Sequence, residues 1–102
     1  MSRWTPLPPS VDLHERPRAI VLIEGRSIAL FKVDDAIYAI DDSCPHQGSS
    51  LVSGKLDGCY VRCPAHGLRF NLATGAMPGG GLSVETYPTR FNDGALEILL
   101  PD

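Results

Sequence analysis

Two thiols and two imidazoles stand in this chain at a spacing that metals use. Cys44-Pro45-His46-Gln47-Gly48 and Cys63-Pro64-Ala65-His66-Gly67 form a C-x-H…C-x-x-H set, with sixteen residues between His46 and Cys63. Cys44, His46, Cys63 and His66 suit a [2Fe–2S] cluster in which thiolates hold one iron and imidazoles the other. The same four donors satisfy a tetrahedral zinc ion. A single Cys is most often a small buried hydrophobe, so the argument rests on two matched C-P-(x)-H-G loops. Cys2His2 zinc fingers normally take both Cys from one knuckle and both His from a helix. Here each loop brings one of each, which suits two irons better than one zinc.

The elements that must hold these loops read as strands. Ala19–Glu24 is apolar and β-branched, Gly25-Arg26 turns it, Ser27–Val33 alternates, and Asp34-Asp35 turns again. Ala36–Ile40 then runs into the first loop, giving a three-stranded antiparallel meander. Asp34 and Asp35 fall at the far end from the loop, because a five-residue strand spans about 17 Å. Gly54–Leu56 and Cys59–Arg62 flank the turn dipeptide Asp57-Gly58, and Cys63 follows the second strand. Phe70 and Leu72 suit another short strand, and residues 75–81 a loop. Val84–Phe91 and Ala95–Leu100 suit a closing hairpin around Asn92-Asp93-Gly94. No window has a helical apolar face, so an all-β fold is expected. Residues 1–18, with four prolines, read as an extended lead to a single domain spanning 1–102.

Composition narrows the function. Net charge is −3, which disfavours nucleic acid as a partner. Residues 34–102 hold four basic and nine acidic side chains, a balance that fits docking on a basic protein surface. No apolar run reaches membrane-spanning length, and the N-terminus lacks a secretory pattern. Three Cys is an odd count with two claimed by the metal loops, so a reducing cytoplasmic setting is expected over a disulfide framework. Cys59 reads as a thiol packed on a strand. His14 reads as a surface residue and Trp4 as lying on the core. Asp41, Asp42 and Arg69 are the charges expected near the loops.

With its ligand loops the chain resembles the Rieske-type [2Fe–2S] proteins, and among them the small soluble Rieske ferredoxins. The likeness covers about residues 20–100. It includes Y-A-I-D-D before the first loop, L-V-S-G-K-L-D-G between the loops, R-F-N-L-A-T-G after the second and T-Y-P near the end. The resemblance implies antiparallel β-sheets with a small cluster-binding subdomain. It also implies one [2Fe–2S] cluster per chain, with Cys44 and Cys63 on the inner iron and His46 and His66 on the outer. High-potential members carry a loop-bridging disulfide, and Ser49 and Ala65 stand at those positions here. They also carry Ser and Tyr hydroxyls near the second loop, where this chain has Leu68 and Phe70. Fewer donors to sulfur imply a potential at the low end of the Rieske range.

The resemblance therefore implies a one-electron carrier rather than an enzyme. A flavin-containing reductase would be its donor and a terminal oxygenase its acceptor. Within the same family the alternative is the small subunit of an NAD(P)H nitrite reductase. Outside it the alternatives are a zinc-stabilised binding module and a regulatory scaffold that retains the ligands.

Overall fold

The structure is a computed structural model that describes residues 3–7, 13, 17–34, 36–43, 50–64, 67–92 and 94–100. Among the described residues ten strands follow in chain order: β1 (Arg3–Pro6), β2 (Arg18–Ile23), β3 (Arg26–Val33), β4 (Ala36–Asp41), β5 (Lys55–Asp57), β6 (Tyr60–Arg62), β7 (Arg69–Asn71), β8 (Thr86–Tyr87), β9 (Thr89–Asn92) and β10 (Ala95–Leu100). They make three antiparallel sheets, ordered β1-β10-β9, β2-β3-β4-β8 and β5-β6-β7. The all-β expectation holds, as does the meander.

Turn chemistry sets the register of that meander. Ile23 pairs with Arg26, so the turn is Glu24-Gly25, one residue earlier than expected. Both central residues are left-handed, at φ +50° and +78°. That is the type I′ geometry whose twist matches the flanking strands. Val33 pairs with Ala36 across Asp34, also left-handed at φ +55°.

The β2-β3-β4-β8 sheet is a wall with two apolar faces. On one, Ala29, Phe31 and Ile40 pack with Leu51, Val61, Cys63, Phe70 and Leu72 from the metal-loop side. On the other, Val21, Ile28, Leu30, Ala39 and Tyr87 pack with Leu7, Leu13, Ile98 and Leu100. Ile28 to Phe31 are all buried because successive side chains of β3 enter opposite cores.

Three expectations are corrected. Within the expected proline-rich coil, Arg3–Pro6 is an edge strand in register with Leu100–Glu97. Pro6 is tolerated there because it ends an edge strand and leaves no central ladder bond unmade. Val84–Phe91 is not one strand. It breaks at Pro88, which cannot donate to a ladder, and β8 pairs with β4 while β9 pairs with β10. The hairpin before Cys63 turns at Gly58-Cys59 rather than Asp57-Gly58, since Asp57 pairs with Tyr60. Cys59 is therefore an exposed turn residue rather than a packed strand thiol. Its Sγ receives a 3.8 Å contact from Asn71 Nδ2. His14 lies outside the described residues. Trp4 is half-buried under the Arg90 guanidinium, 4.1 Å from its ring centre.

Two glycines test how tightly the loops are drawn in. Gly75 has φ +78° and a Cβ there would run into the Val84 carbonyl. Gly58 has φ +62° with open space around it. Gly58→Ala is expected to cost about 1 kcal/mol from the left-handed backbone alone. Gly75→Ala adds the collision and should cost about 3 kcal/mol. Urea denaturation of the two variants measures both.

Candidate metal centre

The first ligand loop leaves the sheet at the end of β4 and returns before β5. Ser43 and Ser50 form a bridge across its neck. Behind them sits Asp42, the only buried acidic side chain among the described residues, 6% exposed. A buried carboxylate requires partners, and Asp42 has three. It accepts from Ser50 Oγ at 2.6 Å, Leu51 N at 3.1 Å and Val52 N at 2.8 Å. Its own carbonyl accepts from Leu51 N at 2.7 Å. The chain before Cys44 is thus locked to the chain after Ser49.

The exit of this loop is clamped from the wall. Arg18 Nη1 on β2 donates to the carbonyls of Val52 at 2.9 Å and Gly54 at 2.7 Å. Its guanidinium lies 5.6 Å from the Phe31 ring centre. Gly54 then lies against the end of β6. A Cβ at position 54 would collide with the Arg62 carbonyl and meet the Val61 side chain. Arg62 immediately precedes Cys63, so the exit of one loop touches the entrance of the other.

The second loop is closed in the same manner. Cys63 N donates to the Leu68 carbonyl at 2.7 Å, and Gly67 N, at φ +73°, donates to the Cys63 carbonyl at 2.8 Å. Cys63 is 1% exposed, in one core with Leu51, Val61 and Phe70. Half-buried Leu68 packs against that core. Neither Leu68 nor Phe70 offers a hydroxyl.

Of the four predicted ligands, Cys63 is described. Cys44, His46 and His66 lie outside the described residues, between stems that are. Among the described residues no three His, Cys, Asp or Glu gather into a separate metal-binding group. Cys59 is separated from Cys63 by the length of β6, about 13 Å along the strand. The donor set fits a metal centre on two grounds: one thiol is held in the core, and the loops bearing the others are stitched beside it. Two softer Cys and two His are the set a two-iron cluster takes.

Three residues escaped the sequence reading. Arg18 and Gly54 act through backbone contacts that no spacing rule reports. Tyr87 was visible only as part of T-Y-P. Its hydroxyl donates to Asp41 Oδ1 at 2.6 Å and accepts from Arg26 Nη1 at 3.1 Å. Burial, reinforced by the bond to Asp41, pushes the hydroxyl up to about 12. Of the charges expected near the loops, Asp41 and Asp42 are engaged in these bonds. Arg69 faces outward, 3.9 Å from Asp57 and over the Tyr60 ring.

Comparison with known proteins agrees with this geometry. The family model of the Rieske [2Fe-2S] domain matches residues 3–88. The ferredoxin component of the naphthalene 1,2-dioxygenase system of Pseudomonas aeruginosa is 35% identical over 87 residues, covering 80% of this chain and 84% of that protein. The Sphingomonas yanoikuyae B1 ferredoxin superposes with a TM-score of 0.74 at 32% identity, over 83% of this chain and 86% of its own. A chain from the complex of reduced oxygenase and oxidised ferredoxin in carbazole 1,9a-dioxygenase gives 0.77 at 28% identity, over 93% of this chain and 91% of that one.

Asp42→Ala strips the partner from the Val52 N–H and the Ser50 hydroxyl, and leaves Leu51 N with the Asp42 carbonyl alone. It should cost about 3 kcal/mol by urea denaturation and lower the iron bound per chain. The Tyr87 hydroxyl has its own pH signature. Its proton is held more tightly in the folded chain than at the ordinary value of 10. Its contribution is therefore complete below pH 10 and is lost as pH rises towards 12. The stability gap between wild type and Tyr87→Phe should narrow across that interval, read by denaturation at several pH values.

Proposed function

This chain belongs to the Rieske [2Fe–2S] family, and from that premise we propose a one-electron carrier loaded with one cluster per chain. The cluster, when bound, supplies one-electron redox capacity. The protein's own residues anchor it, insulate one side and leave the other open to a partner. Cys44 and Cys63 would hold the inner iron, and His46 and His66 the outer one. The observation that carries the reading is the burial of Cys63 at a neck where Gly54 lays the first loop's exit on the second loop's entrance. A thiolate on that side is shielded by Leu51, Val61 and Phe70. By the family resemblance, both imidazoles would belong to the opposite, outward side.

The chain is an electron-transfer component and not the enzyme it serves. Relatives sharing about a third of its residues are ferredoxin components of dioxygenase systems. We place a flavin-containing reductase upstream and a terminal oxygenase downstream. The pairing of a ferredoxin with its oxygenase in the carbazole system supports the second half of that assignment. These relatives favour the oxygenase system over the nitrite reductase subunit. Among the described residues no helix is long and apolar enough to cross a membrane. We place the chain in a reducing, cytoplasmic setting on its odd cysteine count.

The apolar side chains of Leu68 and Phe70 favour the low end of the range for Rieske centres, about −150 to +300 mV. Protein purified anaerobically should be red-brown, carry about two irons and two acid-labile sulfides per chain, and give an EPR signal once reduced with dithionite. A colourless protein binding one zinc would overturn the assignment. Cys63→Ser should lose cluster and stability together. His66→Cys, where a cluster assembles, should lower the midpoint potential towards the about −400 mV of all-thiolate plant-type centres, measured by protein-film voltammetry.

A further inference from the structure

The small β5-β6-β7 sheet turns Leu56, Val61 and Phe70 inward, under the metal loops. Its outward face carries a row that runs against the charge of the whole molecule. Lys55 is directly opposite Arg62, and Arg62 is directly opposite Arg69. Side chains opposite one another across antiparallel strands share a face. Three cations therefore stand side by side over about 10 Å, two interstrand spacings. Lys55 and Arg62 are exposed and make no ion pair or side-chain hydrogen bond with a described residue. Arg69 has Asp57 at 3.9 Å, itself 65% exposed.

Like charges directly opposite one another destabilise a sheet; Asp57 offsets Arg69 in part, and no described carboxylate pairs with Lys55 or Arg62. Asp41 and Asp42 are committed to Tyr87 and to the first-loop stem. Neither ligand loop contains an Asp or Glu. Arg18 adds a fourth positive charge where it grips Val52 and Gly54. The row sits beside the loops: Lys55 follows Gly54, and Arg62 precedes Cys63. A chain of net charge −3 thus presents a cationic strip next to its metal centre. Asp57 is the one carboxylate in β5, β6 and β7.

We propose that this strip is a docking surface for an acidic patch on a protein redox partner, an inference that rests on the carrier reading above. Two guanidiniums and an ammonium in a line suit two or three carboxylates presented from one partner element. A row of about 10 Å matches a short acidic patch, whereas a duplex extends past it and would bring its phosphates against the rest of a chain of net charge −3.

Charge reversal tests it, with poly-L-glutamate as the acidic probe and the cluster-loaded protein at low ionic strength. Arg62→Glu is expected to weaken probe binding by about tenfold or more. Lys55→Glu carries the same expectation, and covers the possibility that a change beside Cys63 impairs loading. Lys32→Glu makes the same charge change at the end of β3 away from the loops, and should leave binding within about twofold. Arg62→Glu should also raise the urea midpoint, because it places a carboxylate between Lys55 and Arg69. Equal binding by all the variants, tighter binding of duplex DNA than of poly-L-glutamate, or a lowered midpoint in a loaded Arg62→Glu protein would each overturn the proposal. Iron and sulfide assays on the same samples read the carrier assignment independently of probe binding.

Discussion

A carboxylate sealed behind the first ligand loop decides where that loop begins and ends. Asp42 takes bonds from the hydroxyl and amides of three consecutive residues on the segment that returns from the loop. Three bonds to one ionised group, each worth roughly 1.5–3 kcal/mol, hold a closure that a short apolar contact could not. The closure brings Gly54 into place, and Gly54 in turn brings the two metal loops together. Without it, the stems of the two loops would belong to independent hairpins. The metal site is less a feature of four ligands than of the hydrogen bonds that bring two loop stems to one spot.

That arrangement needs something rigid to be built on, and the central sheet provides it. Ile28, Leu30 and Ile98 on one side and Phe31, Phe70 and Leu72 on the other are almost wholly buried. Each such side chain is worth about 1.5–3 kcal/mol relative to exposure, so a short chain obtains two modest cores from one sheet. The metal-side sheet is the slighter support, with three strands of three residues. A bound metal centre would add to it what the strands alone lack.

Much of this was legible beforehand, for physical reasons. Two-residue turns with Gly, Asp or Glu leave a strong local mark, and strand alternation reports burial directly. The ligand motif is local in each loop. What stayed hidden was non-local or backbone-mediated. Arg18 reaches thirty-four residues to Val52, and Gly54 matters for a side chain it lacks. A strand as short as Arg3–Pro6, closed by a proline, has too few residues for a periodicity. Pro88 was visible, but that it would send its two flanks into different sheets depends on β10 being available as a partner. The cationic row was equally invisible. Lys55, Arg62 and Arg69 are ordinary surface residues until register sets them abreast.

The crossing at Pro88 ties together parts that are otherwise far apart. Tyr87 grips Asp41 at the threshold of the first metal loop, while Thr89, two positions on, is already paired to the carboxy-terminal hairpin through Ile98. The Pro88 carbonyl itself is fastened to Leu99. Peeling that hairpin from the outer layer would therefore tug on the residue next to Asp42. In mechanical language the last strand is the anchor of a tether whose other end is the metal loop's hinge, so fraying at the tail and loosening around the iron ligands should be one event.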